Sequence, residues 1–108
     1  MIDRDILLKA LAVKADRHAE LAKQLEDSAV VVDHNKVRVI SREMGGLRDF
    51  ARVHGEIVAA KKGVADAKEM LAAGDPDMTE LANAEIKSLE PRLAELWSEA
   101  EVILADKD

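Results

Sequence analysis

Residues 50–78 read FARVHGEIVAAKKGVADAKEMLAAGDPDM, and this stretch decides the fold. Phe50, Val53, Ile57, Ala60, Val64, Ala67 and Leu71 recur at three- and four-residue intervals. That spacing lays them on one face of an α-helix and does not fit the alternation of a strand. The run stops at Gly74-Asp75-Pro76. Glycine suits the left-handed residue after a helix end, aspartate the next N-cap, and proline the first helical position. One helix ends and the next begins within a few residues, so the two are expected to pack antiparallel.

Towards the N-terminus the same helix carries a second apolar register, Ile40, Met44, Leu47, Ala51, His54 and Val58. It lies on a different side from the first, and a helix with two stripes needs two neighbours. Asp33 is the N-cap expected to open this helix, which runs over about 33–73. An earlier helix is expected over about 3–27, capped by Asp3, with Leu7, Leu11, His18, Leu21 and Leu25 on one face and Ala10 and Ala22 beside them. Val30-Val31-Val32 is β-branched and reads as an extended connector packing back on the bundle. A last helix over about 76–104 buries Met78, Ala82, Ile86, Leu89, Leu93, Leu96, Ala100 and Ile103, with Trp97 at the edge. Pro91 inside it removes one backbone hydrogen bond and is expected to kink it.

The fold class that follows is all-α: an elongated antiparallel three-helix bundle, coiled-coil-like, with a long central helix, residues 1–108 forming a single helical domain. The first helix is expected on the first half of the central one and the last helix on its second half. The two stripes overlap between about Leu47 and Val58, where all three helices are expected to meet. At 1.5 Å per residue the central helix is about 60 Å long.

Composition agrees. The chain has one Phe, one Trp and no Tyr among 108 residues, too few aromatics for a β-sandwich or barrel. It is 48% hydrophobic, too apolar for a disordered tail. With no cysteine, disulfides, thiolate zinc sites and cysteine nucleophiles are excluded. Asp3 and Asp5 stand where a secretory signal would be basic, and no apolar run reaches the ~18 residues of a membrane span. A cytoplasmic protein without a membrane partner is expected.

The net charge of −6 is uneven: −1 over residues 1–32, +2 over 33–73 and −7 over 74–108. A general nucleic-acid binder would be basic across one large face, so this distribution favours protein partners over bare nucleic acid.

No residue pattern points to catalysis, a cofactor or a metal. Ser28, Ser41, Ser88 and Ser98 lack a nucleophile-elbow context, and no Gly-rich phosphate loop is present. Gly45-Gly46 continues as Leu47, so it is not a Gly-Gly-Gln loop; mid-helix it reads as a close helix contact or a bend, with a functional hinge as the alternative. His18 and His54 each sit on an apolar stripe and are expected to be structural, facing each other where the first two helices pack, while His34 is expected in solvent. A metal there would lack further ligands. Lys14 is expected to lay its stem along the core and reach water with its ammonium, or else to bind a partner. Arg38, Arg42, Arg48 and Arg52 share a broad face of the central helix, interrupted by Asp49 and Glu56. They read either as a solvated face with i,i+4 pairing or as a ribosome-facing surface meeting rRNA phosphates. Glu80, Glu90, Glu95, Glu99 and Glu101 read as a solvated acidic face, or as a surface for a basic protein partner.

Three segments carry a family resemblance. Leu25 to Lys36 (LEDSAVVVDHNK) resembles the connector and second-helix start of class I peptide chain release factors, with Ser28 standing where that family often has Pro. Ile40-Ser41-Arg42-Glu43-Met44 is similar to the family's apolar-x-basic-Glu step. Asp75 to Ala82 (DPDMTELA), followed by Glu85-Ile86 and Leu89, is similar to the Asp-Pro-Glu-Met-x-x-Leu-Ala sequence of type 1 factors. The resemblance covers about residues 3–108 and fits type 1 better than type 2, whose connector carries a Trp.

The resemblance implies the N-terminal domain of a factor that reads UAA and UAG and triggers peptidyl-tRNA hydrolysis. Codon reading and hydrolysis belong to later domains of that family, so this chain is expected to be no enzyme by itself. The resemblance also implies docking near the stalk base of the large ribosomal subunit. Contacts with the class II release factor GTPase and the release factor glutamine methyltransferase are further implied partners. The competing reading is a free-standing helical adaptor or regulator with protein partners only; it accounts for the helices and the charge but not for Asp75 to Ala82.

Overall fold

A computed structural model describes residues 3–106. Among the described residues there is no strand, and the fold is all-α. Among the described residues four helices follow one another: α1 Arg4–Gln24, α2 Ser28–Val31, α3 His34–Ala73 and α4 Pro76–Ala105.

Aspartates open the helices. The Asp3 carboxylate accepts from the Asp5 amide at 2.7 Å, Asp33 from Asn35 and Lys36 at 3.1 and 3.2 Å, and Asp75 from Asp77 at 3.0 Å. Each satisfies amides that the first helical turn leaves without carbonyl partners. Asp27 does the same for Ala29 at 2.9 Å. This is why Val30-Val31-Val32 is not the extended connector expected from its β-branching: Ser28–Val31 closes one helical turn on the Asp27 cap, and Val32 follows as its C-cap. A local cap outweighs the weak strand preference of three valines. Gly74 stands between α3 and α4 with φ +76°, the left-handed conformation that an L side chain resists.

The chain divides into two compact units, residues 1–54 with 100–108, and residues 55–99. In the first, α1 packs on the opening half of α3. Leu7, Leu11, Leu21, Ile40, Phe50, Val53 and Ala100 are buried, with Leu11, Leu21, Val53 and Ala100 fully so. Arg17 reaches Glu43 while Lys14 reaches Phe50, so α1 runs antiparallel to α3. The Lys14 ammonium stands 4.8 Å from the Phe50 ring centroid, a cation–π contact that gives the expected core-hugging lysine a definite partner.

In the second unit α3 and α4 form a helical hairpin around Ile57, Ala60, Val64, Ala67, Ala82, Leu96 and Trp97. Trp97 is buried, not at the edge as expected. It lies roughly 70° from the centre of the α4 stripe at 100° per residue, and an indole is long enough to swing back into the core. α4 continues unbroken through the exposed Pro91. The helices approach closely at Gly63, where a Cβ would stand 2.6 Å from Leu89 Cδ1.

Two further expectations are corrected. Leu47 is only half-buried and Val58 is exposed, whereas Val53 and Ile57 are fully buried. Gly45 and Gly46 are exposed, and a Cβ on either would meet nothing within 4 Å, so neither serves a close helix contact. Each costs about 1 kcal/mol relative to alanine in a helix interior. No internal packing offsets that cost.

Candidate functional site

Arg38, Arg42, Arg48 and Arg52 are all exposed, and all lie on the part of α3 that belongs to the first unit. At 100° and 1.5 Å per residue they occupy a sector of roughly 120° and about 21 Å of helix. Among the described residues none forms a salt bridge with Arg38, Arg42 or Arg48.

The reason lies in α3 itself, where no carboxylate stands three or four residues from Arg38, Arg42 or Arg48. Glu43 borders a shallow depression together with Arg38, Val39 and Arg42. Its carboxylate is held elsewhere: Arg17 of α1 donates to it from Nε at 2.6 Å and from Nη2 at 3.0 Å. Arg17 also pairs with Glu20 at 2.8 Å. Glu43, the residue after Arg42, thus pairs across to α1 and not along α3. Asp49 is the carboxylate within the same sector. Arg48 and Arg52, four residues apart, repel each other mildly.

The hydrogen bonds from Arg17 hold the Glu43 carboxyl below the ordinary carboxylate range, and the same bonds raise Arg17. The folded-state titration of Glu43 therefore lies below that of the unfolded chain. The contribution of the pair is present above the unfolded carboxylate's titration near about pH 4.3 and is lost as pH falls through the lower folded value. Both side chains are about two-fifths exposed, so the effect is small and screened by salt. The melting temperature of Glu43→Gln is expected to lie slightly below that of the wild type at pH 6, and the gap is expected to narrow as the pH falls below the ordinary carboxylate range. A gap that stays constant across that range in thermal melts would show that the pair contributes nothing.

In the second unit Arg92 of α4 donates to Glu56 of α3 at 2.8 Å. That bond, with the field of Glu56, Glu95 and Glu99, raises Arg92. The acidic outer residues of α4 divide: Glu80, Glu90 and Glu95 are exposed, and Glu99 and Glu101 are half-buried. His18 and His54 are half-buried and His34 is exposed. Among the described residues no group of three His, Cys, Asp or Glu side chains is placed to hold a metal ion. No helix is long and apolar enough to cross a membrane.

One surface escaped the sequence reading. Val31, Val32 and Val39 are 50%, 75% and 66% exposed at the α2–α3 corner, beside a shallow groove lined by Gln24, Val30, Lys36 and Ile40. The periodic pattern does not reveal it, because the connector had to be recognised as helical before its valines could be placed.

The fold defines a class: an all-α helical domain. The chain belongs to the PCRF domain family, whose model matches residues 14–108. It is 32% identical over 94 residues to "Peptide chain release factor 1" of Chloroherpeton thalassium, an alignment covering 86% of this chain and 26% of the relative. It is 35% identical over 103 residues to "Peptide chain release factor 1" of Oceanobacillus iheyensis, covering 94% of this chain and 29% of the relative. The chain thus spans between a quarter and a third of the length of these relatives. No solved structure matches.

Proposed function

We propose that this chain is the N-terminal docking domain of a type 1 translation termination factor. The observation that carries this reading is the alignment of nearly the whole chain with a part of two proteins named peptide chain release factor 1. In this reading the domain binds the large ribosomal subunit near the stalk base. Reading of UAA and UAG, and the triggering of peptidyl-tRNA hydrolysis, rest on sequence outside the aligned part of the relatives, so the domain itself is not catalytic. It acts in the cytoplasm, where the ribosomes are. The class II release factor GTPase and the release factor glutamine methyltransferase are further partners of the same reading.

Arg38, Arg42, Arg48 and Arg52 are the residues proposed to face the ribosome. The exposure of all four, and the lack of a salt bridge to Arg38, Arg42 or Arg48 among the described residues, support this, because guanidinium groups without carboxylate partners are ready to engage phosphates in forked pairs. Co-sedimentation with 70S ribosomes tests it. The chain is expected to bind in a salt-dependent way, with log K falling by roughly 0.7–0.9 per phosphate contact for each decade of salt. Arg38→Ala with Arg42→Ala and Arg48→Ala is expected to weaken binding at least about tenfold and to flatten that slope. Equal binding and equal slope would remove the arginines from the interface. No binding by the wild type would remove the docking reading itself.

A further inference from the structure

Gly45 lies at the centre of the arginine sector of α3, between Arg42 three residues before and Arg48 three residues after. Ser41 sits one turn back and Asp49 one turn on, and all of these residues are exposed. Gly46 lies about 100° round the helix from Gly45, at the flank of the sector. A Cβ at Gly45 would meet nothing within 4 Å, so the glycine does not make room for any part of this chain. Its conformational freedom is not used either, since α3 is continuous there and φ is positive at Gly74 alone among the described residues. A glycine that weakens its helix and serves no neighbour leaves a bare strip of backbone open to something outside. The charge around it says what: Arg42 and Arg48 flank the strip without a salt bridge from the described residues, and Arg38 lies in the same sector.

We infer that Gly45 is the point at which an RNA sugar-phosphate backbone comes against α3, with Arg42 and Arg48 on either side of it and the Ser41 hydroxyl within reach as a donor. Glycine permits the close approach, and paired guanidinium groups recognise a phosphate. Asp49 repels an anion from the C-terminal side of Gly45 and so places the phosphate towards Arg42. An acidic protein segment is the other occupant that charge alone allows. A carboxylate on a side chain, however, can extend to an arginine across a gap, and has no need of a bare helix backbone. This inference rests on the ribosome-docking reading and gives it a contact of stated chemistry.

Gly45→Ala and Gly46→Ala separate the two. Both are expected to raise the melting temperature, by about 4–8 °C, since each removes a glycine from a helix interior. Only Gly45→Ala is expected to weaken binding to 70S ribosomes, by about fivefold or more, because only it puts a methyl group on the arginine sector. A Ser41→p-benzoylphenylalanine chain irradiated on the ribosome is expected to cross-link to rRNA. Wild-type binding by Gly45→Ala, with the arginine triple variant still weakened, would overturn the inference and leave the docking reading intact. A cross-link to a ribosomal protein in place of rRNA would overturn it in favour of a protein occupant. Failure of the wild type to bind would overturn both.

Discussion

Ile57→Asp is expected to abolish cooperative unfolding, leaving a chain with no melting transition by far-UV circular dichroism. Ile57 is fully buried on α3, among the core side chains of the hairpin unit. Removing a buried isoleucine costs about 2–5 kcal/mol through lost burial and the cavity left behind. The carboxylate adds several kcal/mol more unless it is protonated or paired. A domain of this size is stable by only about 5–15 kcal/mol, so the combined loss takes most or all of it. Leu47→Asp is expected to be milder, because Leu47 is half-buried and its replacement can turn towards water. A melt of Ile57→Asp within about 2 °C of the wild type would refute this packing. So would a greater loss in Leu47→Asp than in Ile57→Asp.

Trp97→Ala is expected to cost about 3–5 kcal/mol. Trp97 is 6% exposed in the same unit, beside the fully buried Leu96, and it is the single tryptophan of the chain. Truncation opens the largest cavity that any one substitution can make here. Urea denaturation followed at 222 nm is expected to show a clearly lower midpoint at an unchanged slope, the mark of lost stability with the same exposed surface. Trp97→Phe is expected to recover part of the loss, because a second aromatic fills part of the same space. A loss under about 1 kcal/mol for Trp97→Ala would place the indole back at the surface.

Within the two units, the stabilising chemistry is mostly apolar burial and aspartate capping. Among the described residues no buried side-chain nitrogen or oxygen lacks a hydrogen-bond partner. The bridges between helices, Arg17–Glu43 and Arg92–Glu56, lie on the surface, so their value is in orientation and charge distribution more than in stability. Arg17 also pairs with Glu20 within α1, so one guanidinium serves two carboxylates.

Most local signals were legible in the chain, the Asp27 cap of α2 being the exception. Asp3, Asp33 and Asp75 declare helix starts because a short carboxylate can reach the amides two or three residues on, whatever lies elsewhere. Gly74 and Pro76 bracket a turn because each restricts its own backbone, and the Phe50-to-Leu71 register names its buried face because helical spacing is geometry. The arginine sector of α3 was equally visible, being a matter of angle along one helix. What depended on a second helix was not. Trp97 becomes core, Val58 becomes surface and Gly45 stands in open space only once α1 and α4 take their places. Arg17 finds Glu43 across 26 residues of chain by the register of α1 against α3, a relation that no single helix period contains. The sequence alone determined where helices begin, end and turn their apolar sides, because those follow from each residue's own backbone and its neighbours within a turn. Tertiary structure alone decided which side chains lose water and which charges pair between helices, because burial and such pairing are properties of two surfaces in contact.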